Sequence, residues 1–388
     1  MSTLKVDAIR HNSATSDAIT TAADGTCTAK LTSVGGGQLS NRNLSINGAD
    51  MMVAQRGTST TGLQNTGGVY TIDRFAHRRG GTWANALWKD EQVNSGTGLF
   101  KKALKKTTTT AEGSAAGTGQ YVMIGHYLEA SDSITAFGDG TAEAKPFTVS
   151  FYVKASIATT YNLHIATSHL STQKAYMKQF TVNSANTWER KTCTIPALTN
   201  SIGTVTGADN GTGLRIHWVL DAPTGSQAAD TWYTHTAFDF PSGQSPTGYA
   251  NTLNATFELG GVQIESGTVA TDLEHRSFGD ELTRCSRYCQ VWGRGYCIAN
   301  AVGSNDLNIG VPLTTPLRDT PSATSVLGMH RSGNKNASCT FHSAQYTANT
   351  NIVEIRMGNW TGGSAVTDEV EYAVTPVSPQ TMIISAEL

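Results

Sequence analysis

The stretch of residues 147–154 reads Phe-Thr-Val-Ser-Phe-Tyr-Val-Lys, with an apolar residue at every odd-numbered position and a more polar one between. Successive side chains of an extended strand point to opposite faces, so a period of two separates an apolar face from a wetter one. The pattern predicts a strand that packs one face against a core, which is the basic element of a β-sandwich.

Shorter strand-like segments recur from about residue 41 to residue 275, separated by clusters of Gly, Asn, Ser and Thr. They lie at 120–125, 161–165, 214–220 and 255–259. Only 15% of the residues are charged and 39 of 388 are Gly, a composition that favours strands and turns over a helical bundle. No period of ~20–50 residues repeats, which argues against a β-helix spike. We therefore predict an all-β fold with a jelly-roll-like β-sandwich.

The chain divides into four predicted regions. Residues 1–40 form an extended anchoring segment that ends in a glycine hinge, and residues 41–278 form the sandwich. Residues 279–295 are the one good helix candidate, with acidic residues at the start and Gly near the end. Residues 296–388 return to strands and predict a smaller C-terminal β domain.

The six cysteines predict free thiols rather than a disulfide framework or a metal site. Cys285 and Cys289 are four residues apart, which would place them on one face of the predicted helix. No second pair and no His stand at ligand spacing, so we expect no zinc. The spacing of His217, His235 and Asp221 gives no support to a metal site either.

Several classes of protein are disfavoured by what the sequence lacks. No stretch approaches the ~18–20 consecutive apolar residues of a membrane span, so no membrane insertion is expected. The formal net charge of −2 lacks the basic excess typical of nucleic-acid binders. Without a nucleophile elbow, an HExxH motif or a Walker loop, we expect no cofactor and no enzyme activity. The first ten residues lack the apolar centre of a secretory signal peptide.

Four segments, in this order, resemble a family of phage virion proteins described as tail fibre or tail structural proteins. They are 2–9 (STLKVDAI), 43–75 (with NLSING, AQRG and YTIDRF), 147–155 (FTVSFYVKA) and 261–288 (with GVQIESGTVA, EHR and ELTRCSRY). The third is also similar to a strand of carbohydrate-binding-module jelly rolls. The resemblance covers about residues 1–295 and implies a component of a tailed-phage virion, a homotrimeric tail fibre that recognises a host-surface glycan.

The resemblance also implies that the N-terminal segment attaches the protein to the virion tail. Residues 1–34 are poor in apolar side chains, so they are predicted to dock on a phage tail or adaptor protein and not on the chain's own sandwich. Leu4, Val6 and Ile9 are the predicted attachment residues. Assembly would take place in the bacterial host cytoplasm, where thiols stay reduced.

Aromatic side chains are the candidates for glycan contacts, because sugars stack their apolar faces on exposed rings. The candidates, which stand in polar, Gly-rich or loop-like surroundings, are Trp83, Trp88, Trp232, Tyr233 and Trp360. Two other tryptophans, Trp188 and Trp218, are predicted to lie in the core.

Two charged motifs favour structural roles. Asp73 and Arg74 follow a strand and are predicted to form an ion pair at the rim of the sandwich, rather than a catalytic acid beside a cation. The run 101–106, Lys-Lys-Ala-Leu-Lys-Lys, is predicted to be a solvated strand end, with binding of an acidic surface polysaccharide or of nucleic acid as the alternative.

Three acidic residues, Glu265, Glu274 and Asp280, could supply the paired carboxylates of a glycosidase. They belong to the virion-protein signature, however, where Glu274, His275 and Arg276 are expected to tie the sandwich to the helix. A polysaccharide depolymerase spike is therefore the alternative function, beside a head or collar fibre with a purely structural role.

The C-terminal region predicts self-association. Its strands 353–357 and 382–384 contain too few apolar residues to fill a core of their own. Contacts with two further copies would bury them and complete the domain, in agreement with the trimer that the resemblance implies.

Overall fold

The structure is a computed structural model that describes most of the chain from Asn43 onward and parts of the N-terminal segment. The described residues are 8–10, 13, 15, 19–21, 23, 27–29 and 43–388, except 65–66, 139, 200–209, 237, 243–244, 293–296, 303–305, 325–326, 332–333, 347–351, 362–370 and 375–381. For some of these residues only the backbone is described, namely 27–29, 297–302, 306–307, 322–324, 327–331, 334–346, 357–361, 371–374 and 382.

The described parts of the N-terminal segment form a small antiparallel sheet. Its strands are β1 (Ala8–Ile9), β2 (Ile19–Thr21) and β3 (Cys27–Ala29). Ile9 pairs with Ile19, and 54% of the Ile9 side chain's surface is exposed, so this predicted attachment residue is accessible. Leu4 and Val6, the other two, lie outside the described residues.

Two large antiparallel sheets form the predicted sandwich, and the all-β fold is confirmed. One sheet has six strands, namely β4 (Ser59–Leu63), β7 (Leu87–Asn94), β8 (Lys102–Thr110), β10 (Phe147–Ala155), β13 (Glu189–Ile195) and β16 (Thr256–Ser266). The other has seven, namely β5 (Val69–Ile72), β6 (Phe75–Gly80), β9 (Tyr121–Glu129), β11 (Thr160–Thr167), β12 (Lys174–Thr181), β14 (Thr212–Asp221) and β15 (Trp232–Thr234). Their spatial orders are β13-β10-β16-β8-β7-β4 and β15-β12-β11-β14-β9-β6-β5.

The core lies between these sheets, and β10 contributes to it as the alternation predicts. Val149, Phe151 and Val153 are fully buried. Across the core, the Phe151 ring meets Trp218 of β14 edge to face, with 5.7 Å between the ring centroids. The core position predicted for Trp218 is confirmed, whereas Trp188 is half-buried and packs its ring edge-on against Phe100.

Two short helices interrupt the strands, one more than the sequence predicts. Helix α1 (Ala130–Phe137) has no side-chain cap at its N-terminus and therefore no capping signal in the sequence. Helix α2 (Phe278–Ser286) begins after Ser277, whose hydroxyl accepts a hydrogen bond from the backbone N–H of Asp280. Within the described residues, neither helix is long and apolar enough to cross a membrane.

The helix predicted at 279–295 ends early, because the chain re-enters a sheet as β17 (Cys289–Trp292). Tyr288 donates its N–H to the carbonyl of Cys285, a tight turn that closes the helix. Cys285 and Cys289 therefore do not share a helix face, and both are buried free thiols, as is Cys193.

The region predicted as one C-terminal domain contains two separate sheets. Its remaining strands are β18 (Cys297–Val302), β19 (Asp306–Pro312), β20 (Ser322–Thr324), β21 (Leu327–Arg331), β22 (Asn334–Tyr346), β23 (Ile352–Thr361), β24 (Glu371–Val374) and β25 (Met382–Ser385). Six of them close a barrel in the order β18-β19-β23-β22-β21-β24, and the other two pair with β17 in the order β17-β25-β20.

This topology removes the packing argument for a trimer. Val353 and Ile355 are buried within the barrel strand β23, and Ile384 is buried in β25 between its two neighbours. Val353, Ile355 and Ile384 are thus buried by the chain itself, without contacts from further copies.

The last residues of the chain dock on the sandwich. Glu387 forms ion pairs with Arg74 and with Arg56, the latter at 3.1 Å. Tyr70 donates its hydroxyl hydrogen to the main-chain oxygen of Leu388 at 3.1 Å. These contacts tie the turn after β5 to the segment after β25.

The prediction that Asp73 and Arg74 form an ion pair with each other is wrong. Arg74 pairs with Glu387, and the Asp73 carboxylate lies 3.6 Å from the Arg56 guanidinium.

Replacing Glu387 by Gln should destabilise the sandwich, because it leaves the fully buried Arg74 guanidinium without its charge partner. Breaking a buried pair on one side costs about 3–5 kcal/mol. Glu91→Gln is the matched control, since the Lys89–Glu91 pair is about one-third exposed and such pairs contribute about 0–1 kcal/mol. Urea unfolding measures both, and equal losses for the two variants would contradict this account.

Candidate functional site

The outer face of the seven-stranded sheet, which points away from the sandwich core, carries a row of polar and aromatic side chains. On β6, β9 and β14 the register sets Arg78 opposite Met123 and Tyr127 opposite Arg215. Because faces alternate along a strand, the intervening residues Ile124 and Ile216 enter the core instead.

A cavity of about 310 Å³ opens on this face. The side chains that give it its chemistry are Arg78, Arg79, Tyr121, Tyr127, Arg215, His217 and Phe238. In the part of the chain that the structure describes, no Asp or Glu side chain lines it. The charged side chains that line the cavity are therefore all cationic, and Leu388, whose main-chain oxygen faces Arg78, also lines it. We call it the arginine cavity.

Arg78 is oriented by its neighbours but keeps bonding capacity. Its guanidinium carbon lies 5.0 Å from the centre of the Tyr127 ring, a cation–π geometry. One Nη reaches the main-chain oxygen of Leu388 at a long 3.4 Å, and the buried Nε has no hydrogen-bond partner among the described residues. Such a donor can be satisfied by a ligand acceptor.

Arg215 faces the same cavity and is held from one side by a 2.5 Å hydrogen bond from its Nη2 to Ser168 Oγ. Burial lowers the pKa of Arg215, and the nearby Arg78 charge lowers it further, while Tyr127 acts in the opposite direction. The two guanidinium groups therefore repel each other. An anion between them would relieve that repulsion.

Beneath the arginines lies a row of imidazoles. His217 Nε2 is 3.3 Å from the Tyr127 hydroxyl, and its Nδ1 is 3.2 Å from His164 Nδ1. Burial lowers the pKa of His164 to about 3 and that of His217 well below its usual value, and repulsion from neighbouring imidazoles and arginines adds to the effect. Both rings are thus neutral at neutral pH, and the positive charge of the face comes from arginine.

Aromatic rings form one wall of the cavity. The half-exposed rings of Tyr121 and Phe238 lie 4.7 Å apart, and Phe238 also packs against His217 and His164 at 5.4 and 5.0 Å. These partly exposed surfaces can receive the apolar face of a sugar ring. Among the described residues, no group of His, Cys, Asp and Glu is arranged to hold a metal ion.

Trp83 and Trp88 were wrongly predicted as glycan contacts. Both are buried, with 1% and 0% of their surface exposed, and their rings meet edge to face at 5.3 Å. The physical reason is the alternation of β7, which turns Trp88 into the core, where Trp83 packs against it. The small polar residues between the two tryptophans indicate a turn, not an exposed platform.

Of the other predicted aromatic contacts, neither Trp232 nor Tyr233 lines the arginine cavity. Trp232 is half-buried and faces the core side, 5.3 Å from Tyr176, and its Nε1 donates to the carbonyl of Pro196. Tyr233, on the outer face, does not line the cavity, and its hydroxyl donates to the carbonyl of Asp239 at 3.4 Å. Trp360 belongs to β23, but its side chain lies outside the described residues.

The residues 274–276 tie the sandwich to α2, as predicted. Glu274 accepts a 2.6 Å hydrogen bond from the N–H of Asn43, and Arg276 donates to the carbonyl of Ser45 and to Glu281. Of the other two glycosidase candidates, Glu265 accepts hydrogen bonds from the backbone N–H and the hydroxyl of Thr271, and Asp280 accepts one from the hydroxyl of Ser277, the residue that caps α2. All three carboxylates thus have structural partners.

The sequence reasoning missed the residues of the arginine cavity, although a signal was present. In 214–220, Leu-Arg-Ile-His-Trp-Val-Leu, the positions of Arg215 and His217 alternate with core residues and so mark the opposite face of the same strand. The Arg-Arg pair at 78–79 similarly follows a buried segment. Which of these polar positions meet could not be read from the sequence, since it depends on the strand order.

No family model matches the chain, and no curated protein matches it. Among solved structures, a family 11 carbohydrate-binding module from Clostridium thermocellum, in complex with a β-1,3-1,4-mixed-linked tetrasaccharide, is 17% identical, with 56% of this chain and 99% of that chain covered and a TM-score of 0.26. A putative sugar-binding protein from Bacteroides thetaiotaomicron is 10% identical, with 58% and 100% covered and a TM-score of 0.27.

A third solved structure, the enzymatically active domain of tailspike protein 4 from bacteriophage CBA120, is 8% identical over 50% of this chain. The match spans only 19% of that tailspike chain, with a TM-score of 0.27. At these scores the likeness carries no argument about function, so the arginine cavity is interpreted from its own chemistry.

The buried imidazoles should make the protein lose stability as the pH falls. Burial lowers the pKa of His164 to about 3, so the unfolded chain, with an ordinary value near ~6.5, takes up the proton first. The stabilisation that comes from keeping His164 neutral is fully present above the unfolded pKa of ~6.5 and is lost as the pH falls toward the folded pKa. For each such imidazole the free energy of unfolding drops by about 2 kcal/mol between pH 7 and pH 5.

A His164→Asn variant should therefore show a decrease between these pH values that is smaller by about 2 kcal/mol, measured by urea unfolding at each pH. Met177→Leu is the control, because Met177 is buried opposite His164 on β12 and does not titrate. An unchanged pH dependence in the His164 variant would show that this imidazole is not kept neutral by the fold.

Proposed function

We propose that the arginine cavity binds an anionic glycan, and that the protein is a non-enzymatic virion component that recognises such a glycan on the host surface. The observation that carries the binding proposal is the cavity itself. Three arginines and two tyrosines converge there, and no acidic side chain lines it among the described residues.

Arginine suits this ligand because its planar guanidinium matches the two oxygens of a carboxylate or sulfate. Arg78 and Arg215 approach from two adjacent sides, on strands that flank β9, and could pair with one anionic group together. The neighbouring Tyr121 and Phe238 rings would stack on the sugar that carries the group.

The size of the cavity limits what it can hold. A volume of about 310 Å³ is at the lower end of the ~300–1,000 Å³ range of small-molecule sites. A terminal acidic sugar with part of the next ring suits this space better than a long polysaccharide segment. Binding a chain end would also suit an adhesin that meets many glycan ends on one surface.

The virion role rests on the sequence resemblance. In this proposal Leu4, Val6 and Ile9 attach the protein to a phage tail or adaptor protein, and the glycan site faces the host. The depolymerase alternative would need a pair of free carboxylates, and Glu265 and Glu274 already have structural partners. A head or collar position is the remaining alternative, and labelled-antibody electron microscopy of virions would decide between head and tail.

Replacing Arg78 by Gln should weaken binding of an acidic oligosaccharide about tenfold or more, since a hydrogen bond to a charged group contributes about 1.5–3 kcal/mol. Isothermal titration with trigalacturonate, preceded by an array of paired acidic and neutral glycans, measures the effect. Affinity should also fall as salt is raised, because the contact is ionic.

Arg284→Gln is the matched control, because Arg284 is an exposed arginine on α2, away from the arginine cavity. This variant should bind like the unmodified protein. Equal binding of neutral and acidic glycans, or full binding by the Arg78 variant, would contradict the proposed ligand class.

The assembly part of the proposal is a homotrimer, which would multiply weak glycan affinities through effective concentration. Light scattering of the full chain should give about three times 41.1 kDa. Removal of the last residues is not a suitable test, because Glu387 and its neighbours stabilise the sandwich of the same chain. A stable, monodisperse monomer would refute the trimer and leave the glycan site untouched.

A further inference from the structure

A lysine, an aspartate and a histidine meet inside the sandwich, far from the polar surface expected of a basic run. Lys106 and Asp90 are directly opposite each other on β8 and β7, and 0% and 1% of their surfaces are exposed. Lys106 Nζ contacts Asp90 Oδ1 and lies 2.9 Å from Nδ1 of His77, which is also fully buried. The prediction that 101–106 is a solvated strand end is therefore wrong at Lys106.

The surroundings of this trio exclude water. The His77 ring lies 5.8 Å from the ring of Trp88, which in turn packs against Trp83, and both tryptophans are buried. Burial lowers the pKa of Lys106 and raises that of Asp90, so the interior pushes both groups toward their neutral forms. A neutral amine is a nucleophile, and a neutral carboxyl group is the form that can lose water.

The ion pair alone leaves the trio incompletely bonded. Asp90 Oδ2 and His77 Nε2 are buried and have no hydrogen-bond partner among the described residues. A buried charge pair is stabilising only when its remaining polar atoms are satisfied. Joining Lys106 to Asp90 through an amide would remove both charges and the unpartnered oxygen, and would leave one N–H that His77 Nδ1 can accept.

We propose that Lys106 and Asp90 form an intramolecular isopeptide bond that links β8 to β7 covalently. The amine lone pair of Nζ attacks Cγ of the protonated Asp90 side chain, and the Nζ–Cγ bond forms. His77 Nδ1, within hydrogen-bond reach of Nζ, accepts the proton that the nitrogen loses. Burial, together with the Lys106 charge, lowers the pKa of His77, so the imidazole holds this proton only until the leaving oxygen takes it.

The Cγ–Oδ2 bond then breaks, and the departing oxygen takes the proton that His77 received, so that one water molecule leaves. No oxidant, reductant or activating group is needed, and the atoms balance as amine plus acid giving amide plus water. The reaction becomes possible when folding brings the groups together, because their contact converts a bimolecular step into an intramolecular one.

Intact-mass spectrometry of the purified full chain tests this directly. The cross-linked protein is lighter than its sequence by one water molecule. Trypsin then yields peptide 90–101 joined to a peptide that begins at Lys106 and is not cleaved after it. A folded protein whose mass still equals the full sequence after days of incubation at 37 °C would overturn the proposal.

Three variants separate the bond from a simple ion pair. Asp90→Asn should lose ammonia instead of water and reach the same final mass as the unmodified protein. His77→Gln should form the bond more slowly, by tenfold or more, because a positioned base contributes at least that much. Lys105→Met is the matched control, since Lys105 is the neighbouring partly exposed lysine, and it should keep the full mass loss.

Lys106→Met cannot form the bond and should retain the complete mass of its sequence. If it unfolds, the Asp90→Asn result still decides, because that variant keeps the size and shape of the side chain. An Asp90→Asn protein that stays folded without losing ammonia, beside an unmodified chain that has lost no water, would show that the trio is only a buried ion pair.

Discussion

The buried guanidinium of Arg74 holds together four parts of the molecule that are distant in sequence. None of its surface is exposed, and it pairs with Glu387, donates to the carbonyl of Tyr127 at 2.6 Å and lies 3.5 Å from the centre of the Tyr288 ring. The turn before β6, the end of β9, the residues after α2 and the end of the chain thus meet at one charge. Because an unpaired buried charge is so costly, these parts are fixed relative to one another.

The arginine cavity depends on this arrangement. The carbonyl of Tyr127 accepts a hydrogen bond from Arg74, while the Tyr127 side chain supports Arg78 and lies within hydrogen-bond distance of His217. The position of this aromatic ring is therefore fixed through the main chain by Arg74, which does not line the cavity. The imidazoles beneath the arginines are neutral at neutral pH, because burial lowers their pKa values. They therefore add no positive charge to the cavity at that pH.

Local sequence patterns correctly predicted the burial of side chains that depends on the alternation within a single strand. They failed for side chains whose burial depends on residues from distant parts of the sequence. The alternation in 147–154 correctly gave β10 and its buried face. Trp83, Trp88 and Lys106 were misjudged because their neighbours along the chain are small, polar or basic, whereas their partners across the sheets are not visible in the sequence. The cavity could be predicted only as outward positions on β14, since its assembly needs the order of β6, β9 and β14.

The small sheet β17-β25-β20 is built from three separated parts of the chain. Strand β17 precedes the barrel strands, β20 lies between the barrel strands β19 and β21, and β25 follows the last of them. Strand β25 is the middle strand and is paired on both edges, with Cys289 of β17 and Ser322 of β20 both opposite Ser385. Loss of β25 would therefore leave β17 and β20 each with an unpaired edge, the kind of exposed strand that can pair with another chain.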